Sequence, residues 1–228
     1  MALDGILLHK MIPEIQEELP LRIQKIWSIS NTEILFQVHG NHGKKQLLIS
    51  THSVYNRLLF TSRNYPTPEE PGNFVMVLRK YLEGSIIEKV EQAELDRWAT
   101  FYITRHNNLG DLEHLFLYVE LMGKYANIIL VNNSNRIIDA LKRIPPFENA
   151  RRTIQPGAEF IPVPSQNKED PFTAVTVNPD ISLTKQFGGF SPFLSREVEY
   201  RMSQGQSFTD IMQEIEASDK LYIYSTES

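Results

Sequence analysis

Cysteine is absent from this 228-residue chain. Neither a disulfide scaffold nor a thiolate metal site can therefore be built. No apolar run approaches the roughly 18 residues that a membrane-spanning helix needs. No basic segment with an apolar core and a small-residue cleavage site opens the sequence. The chain is accordingly expected to be soluble and cytoplasmic, with no membrane partner. Several enzyme signatures are missing too: no Gly-x-Ser-x-Gly elbow, Walker loop or Rossmann glycine fingerprint occurs. Six histidines stand at 9, 39, 42, 52, 106 and 114, but none makes a helical ligand pair, and His39 and His42 only share a glycine-bounded turn. No metal and no other cofactor is expected. Internal repeats and low-complexity tracts are lacking as well.

What is present is ordinary globular material. With 41% hydrophobic residues the chain can bury a core, as one large domain or as a domain of about 150 residues plus a small one. The net charge of -5 lies wholly in residues 161–228, which hold 5 Lys and Arg against 10 Asp and Glu; residues 1–160 hold 18 of each. The first part is thus free to carry basic patches, with candidates at Lys44-Lys45, Arg79-Lys80, Lys142-Arg143 and Arg151-Arg152. Paired surface cations equally serve only to solvate.

Asp4 stands where a helix N-cap would, and Leu7, Met11, Ile15 and Leu19 follow at a spacing of four. That spacing predicts a helix of about 15 residues, which Pro13 should kink or break. Residues 21–60 alternate as strands around turns at Asn31-Thr32 and Gly40-Asn41-His42-Gly43, a meander. After a proline-rich loop over 65–72, Phe74, Val77, Leu78, Tyr81 and Leu82 mark an amphipathic helix, with Asn73 as cap and Gly84 as stop. A second strand series covers 86–90, 101–104, 115–121, 128–131 and 137–141. Two strand groups, each preceded by a helix, predict an α+β fold over residues 1–170: a two-layer, mostly antiparallel β domain with flanking helices. Residues 164–171 read as a linker, and 171–228 as a small helical region.

Three constellations could carry chemistry. In the first, Val119-Glu-Leu-Met-Gly-Lys-Tyr-Ala-Asn-Ile-Ile-Leu-Val131, a strand connection presents Lys124 at a loop tip beyond Gly123, which takes a backbone shape that a side chain disfavours. Lys124 is then either a solvated turn lysine or a contact for something that approaches the turn. In the second, Phe187-Gly-Gly-Phe-Ser-Pro-Phe-Leu194, Gly188 and Gly189 precede Ser and Pro at a helix start. Amides aimed outward there could hold a phosphate, or the glycines merely permit a tight turn. The third is Leu95-Asp96-Arg97-Trp98. Carboxylate, guanidinium fork and indole are the groups that read unpaired RNA bases; the competing reading is a surface ion pair beside a core tryptophan.

The string Glu120-Leu-Met-Gly-Lys-Tyr-Ala-Asn127-Ile-Ile-Leu resembles the signature of the NFACT N-terminal domain, found in the RqcH family, whose bacterial members are also called fibronectin-binding protein A or FbpA. The Gly-Lys turn, the Asp-Arg pair and the Gly-Gly-Phe-Ser-Pro turn occur in the family's order, and Arg151-Arg-Thr-Ile-Gln-Pro-Gly157-Ala-Glu-Phe160 is similar to the family's closing segment. The resemblance implies that Asp4, Asp96 and Arg97 recognise transfer RNA, with Lys124, Arg151, Arg152, Gly188 and Gly189 as candidate phosphate contacts. It also implies a fold similar to the N-terminal domain of formamidopyrimidine-type DNA glycosylases, followed by a helix-hairpin-helix region. Family members continue into a coiled coil and an NFACT-R domain, so the chain is expected to be an N-terminal fragment.

The implied role is ribosome quality control. Such factors bind a large ribosomal subunit blocked by peptidyl-tRNA, recruit alanyl-tRNA and promote template-free alanine tailing. Peptidyl transfer belongs to the ribosome, so no enzyme activity is expected. Adhesion to fibronectin is the alternative that the older family name implies. A glycosylase-like DNA enzyme is the third, although Ala2-Leu3 replaces the Pro and Glu that this chemistry uses.

Overall fold

The computed structural model describes residues 3–68, 70–149 and 151–218. Ala2 and the expected end of the helical region, residues 219–228, lie outside the described residues. Two helices, α1 (Gly5–Gln16) and α2 (Asn73–Leu82), accompany nine strands: β1 (Leu21–Ser28), β2 (Glu33–Gly40), β3 (Gly43–Ser50), β4 (Arg57–Thr61), β5 (Ile86–Gln92), β6 (Trp98–His106), β7 (Leu112–Glu120), β8 (Asn127–Asn132) and β9 (Ile137–Ala140). Three further helices follow: α3 (Leu183–Gln186), α4 (Pro192–Ser203) and α5 (Phe208–Ala217). No helix among the described residues is long and apolar enough to cross a membrane.

Both strand groups are antiparallel meanders, as alternation predicts, and they join into one nine-stranded sheet of order β4-β3-β2-β1-β5-β6-β7-β8-β9. The sheet cannot be flat. Helix α1 touches both β4 and β5, four strand positions apart, and α2 touches both β1 and β9, five apart. In a flat sheet those separations are ~19 and ~24 Å, beyond a helix only ~10 Å across. The sheet therefore curls around the two helices, and Ile26, Phe36, Leu47, Phe101, Leu117 and Leu130 from one face share a core with Leu8 and Ile15 of α1 and Leu78 of α2.

The seam between the meanders is short. Strands β1 and β5 pair only at Leu21↔Ile87 and Arg22↔Ile86. Farther along, side chains at the C-terminal end of α2 stand in for the missing strand: the Ile26 amide donates to Oε1 of Glu83, the residue after the helix (3.3 Å), and Arg79 Nε donates to the Ile26 carbonyl (2.8 Å). A backbone group left without a partner here would carry a desolvation cost.

Local expectations need three corrections. Pro13 does not break α1, which continues to Gln16, because Ile12 and Ile15 on either side of it are buried. Burying two such side chains is worth about 3–6 kcal/mol, enough to offset the ~3 kcal/mol of an internal proline. The helix still stops short of Leu19, since a residue before proline, here Pro20, is pushed out of helical geometry. Helix α2 is capped by Gly72 without a side-chain bond, not by Asn73, whereas Gly84 ends it at φ +85° as expected. A second core forms from Leu183, Phe187, Phe190, Val198, Phe208 and Ile211, and it includes Ile6 of α1.

Candidate functional site

The N-terminus of α1, the turn over residues 93–97 and the turn over residues 187–191 meet at one junction. Asp4 caps α1, its Oδ1 accepting from the Leu7 amide at 2.7 Å. Its Oδ2 accepts from the Ser191 hydroxyl at 2.9 Å, and Ser191 Oγ in turn accepts from the Leu194 amide at 3.1 Å to cap α4. One carboxylate thus joins two helix N-termini, both of which favour negative charge. Burial pushes the Asp4 carboxyl above its ordinary value; the Leu7 amide, the Ser191 hydroxyl and the Arg97 charge pull it back only in part.

Glycine is required at the contact. A Cβ on Gly5 would stand 1.7 Å from the Leu95 carbonyl oxygen, and one on Gly189, at φ +83°, would meet Ile6 Cγ1 at 2.7 Å. The sequence reading gives Gly188 an outward amide, but that amide donates inward to the Glu169 carbonyl at 2.9 Å. A Cβ on Gly188 would lie 3.5 Å from Leu95 Cβ. The expected linker over 164–171 is thereby docked at Glu169, and the Gly188-Gly189 turn faces α1 and Leu95.

The 93–97 turn is held from both sides. Ala93 accepts from the Asp96 amide at 2.9 Å, Glu94 takes φ +52°, and Gln92 Nε2 donates to the carbonyls of Gly5 (2.8 Å) and Asp96 (2.9 Å). The Arg97 carbonyl accepts from the Leu121 amide at 2.8 Å. On this rigid frame the half-exposed side chains of Asp96 and Arg97 make no hydrogen bond or ion pair with the described residues, so they do not form the ion pair of the competing reading. Burial raises the Asp96 carboxyl and the charge of Glu94 raises it further, against Lys168 and Arg97. Trp98 is half-buried, 6.2 Å from the Tyr118 ring, and its Nε1 finds no acceptor among the described residues.

The remaining candidates lie along the same edge. Strands β7 and β8 pair as a hairpin to Glu120↔Asn127, and Gly123–Tyr125 forms a 3-10 turn with Gly123 at φ +59°. Buried Asn56 fixes that turn, its Oδ1 accepting from the Gly123 amide at 2.7 Å. Lys124 is exposed, with Nζ 5.1 Å from the Tyr125 ring centroid. Arg151 is exposed, whereas Arg152 turns inward: its guanidinium grips both carboxylate oxygens of Glu120, which is 1% exposed, and Nε donates to the Ile161 carbonyl. That fork is occupied, unlike the one of Arg97.

The structure therefore brings Asp4, Asp96, Arg97, Gly188 and Gly189 together, links the Lys124 turn to them through Leu121, and gives Arg152 a structural partner. Sequence reading missed Gln92, Asn56 and Lys168, and the bond of Ser191 to Asp4. Ser191 carried a signal, as a serine before proline at a helix start; a lone Gln92 at a strand end carried none.

The family model described as "NFACT N-terminal and middle domains" matches residues 4–225. The chain belongs to the NFACT family. Rqc2 homolog RqcH of Streptococcus pneumoniae is 38% identical over 175 residues, which are 76% of this NFACT chain and 32% of that protein. Rqc2 homolog RqcH of Bacillus subtilis is 35% identical over 222 residues, 92% of this chain and 39% of that protein. The chain thus spans about a third of the length of the curated relatives it matches. The NFACT fold here is similar to the solved N-terminal part of the fibronectin/fibrinogen-binding protein from Streptococcus suis, with a TM-score of 0.82 and 33% identity over 94% of this chain and 83% of that one.

Proposed function

We propose that this chain is the tRNA-engaging N-terminal part of a ribosome-quality-control factor. The observation that carries the reading is the commitment pattern of the site: Asp96 and Arg97 sit half-exposed on a braced turn with their side chains bound to no other described residue. A carboxylate that accepts base N–H groups and a guanidinium that donates in a fork can read unpaired bases of an anticodon region. Asp4 holds the frame and adds negative charge behind Arg97, while exposed Lys124 and Arg151 contact phosphates. The RqcH relatives support the cellular role.

In this reading the factor works in the cytoplasm. It engages a large ribosomal subunit that still holds peptidyl-tRNA, recruits alanyl-tRNA, and promotes untemplated alanine tailing. The ribosome performs the peptidyl transfer, so the chain binds and positions without being an enzyme. The sheet domain ends near residue 170, in a fold related to the N-terminal domain of formamidopyrimidine glycosylases, and residues 171–218 act as a helix-hairpin-helix unit. Asp96→Ala with Arg97→Ala, introduced into the full-length protein, should abolish selective recovery of tRNA from cells while urea unfolding stays unchanged. Unaltered tRNA recovery would rule the assignment out.

A second reading is adhesion to fibronectin or fibrinogen, favoured by the description of the Streptococcus suis protein. Surface labelling of intact cells separates the two, because an adhesin is labelled and a ribosome-bound factor is protected.

A further inference from the structure

A concavity of about 750 Å³ on β1–β4 is lined by Trp27, Leu35, Gln37, Lys44, Gln46 and Thr61 among others, none of which belongs to the junction around Asp96. Strand register explains the grouping of these six; Lys45 and Phe60, which also line the concavity, pair with Val38 and Leu47 at core-side positions, and Lys45 Nζ lies 3.5 Å from Glu18 Oε1. Trp27 pairs with Leu35, and Gln37 with Gln46, which pairs with Thr61. These residues alternate with Ile26, Phe36 and Leu47, which enter the core, so they belong to the opposite face of the sheet.

Three features of this face ask for a ligand of one chemistry. First, Gln46 Oε1 is a buried acceptor with no partner among the described residues, and such a group carries a cost until a donor reaches it. Second, Trp27 is half-buried beside two cations, the Arg79 guanidinium at 5.6 Å and Lys25 Nζ at 5.7 Å from the ring centroid. Arg79 is fixed by the Ile26 carbonyl, whereas Lys25 is exposed and can swing away from the ring. Third, the outward positions of β1–β3 carry the cations Arg22, Lys25 and Lys44 against the single carboxylate of Glu33, at which the Ser30 hydroxyl is directed (3.3 Å). In a chain of net charge -5 that is a local excess of positive charge.

We propose that this concavity holds an unpaired base of single-stranded RNA. The base stacks on Trp27, one of its N–H groups donates to Gln46 Oε1, and Lys25 and Lys44 meet the flanking phosphates. An acidic peptide would satisfy the lysines but would leave the indole face unused. This site does not rest on the tRNA reading of Asp96 and Arg97, and it is tested apart from it.

Trp27 and Trp98 are the two tryptophans of the chain, so Trp98→Phe leaves Trp27 as its sole indole. Titrating that variant with a short oligoadenylate should quench Trp27 fluorescence to saturation. Lys25→Glu with Lys44→Glu should weaken binding by about tenfold or more and flatten its salt dependence. Gln46→Leu should weaken binding without changing the salt slope. Anisotropy of a labelled oligoadenylate, measured with the otherwise natural chain and with Trp27→Ala, covers the case in which Trp98→Phe unfolds, and should show a loss of about tenfold. Asp96→Ala with Arg97→Ala should leave all these values unchanged. Absence of quenching in folded protein, anisotropy indifferent to Trp27→Ala, or competition by polyglutamate as strong as by RNA would each overturn the proposal.

Discussion

Asp4 and Ser191 stand 187 positions apart and share a hydrogen bond of 2.9 Å that ties the start of α1 to the start of α4. A capping carboxylate is common; one shared by two helices so far apart in sequence makes the junction a single mechanical unit.

The Asp4 carboxyl gives stability a pH signature. Burial raises it above its ordinary value of 3.8, so the native state holds that proton more tightly than the unfolded chain does. The stability linked to this group is fully present below the ordinary value and is lost as pH rises through the raised one. Asp4→Asn still caps α1 and should flatten the slope in that window, as read from urea midpoints between about pH 3 and 7. A slope identical to that of the natural chain would contradict the assignment.

Arg151 and Arg152 should part company. Removing Arg152 leaves the Glu120 carboxylate buried without its partner, so Arg152→Ala should cost about 3–5 kcal/mol of unfolding free energy. Glu120→Gln combined with Arg152→Met should cost much less. Arg151→Ala, on an exposed residue, should stay within about 0.5 kcal/mol in the same denaturant titration.

Gly5→Ala tests the closeness of α1 to the 93–97 turn. The new methyl would overlap the Leu95 carbonyl, and relief by backbone movement should cost about 1–3 kcal/mol or more. Amide exchange should quicken at residues 93–97, and tRNA recovery should fall with it. Gly43→Ala is the control: a Cβ there meets nothing within 4 Å, although φ +94° adds local strain.

Asn56→Ala should loosen the Lys124 turn. It deletes the acceptor of the Gly123 amide and should cost about 1–3 kcal/mol, with faster amide exchange at Gly123. Equal protection in natural and variant proteins would show that the turn holds itself.

Elements were legible where neighbours in sequence decide them. Alternation marked both meanders, and the run from Phe74 to Leu82 marked α2, because each reports a buried face at short range. The β1–β5 seam was not legible, since two residue pairs joining strands some sixty positions apart leave no local pattern. Within the site, Asp4 could be read as a cap and Asp96-Arg97 as an adjacent pair. Gln92 bridging Gly5 and Asp96, and Glu120 taking the fork of Arg152, depend on three-dimensional placement alone.

The start of α1 faces two cores: Leu8, with Leu3 just ahead of the helix, enters the one inside the sheet, and Ile6 enters the one built by α3, α4 and α5. A ribosome makes Ile6 about 180 to 200 residues before its partners Phe187 and Phe208. At about 5–20 residues per second the partner surface arrives some 10–40 s after Ile6 does. The first turn of α1 therefore waits with its Ile6 side uncovered, and its docking completes the junction that carries Asp96 and Arg97.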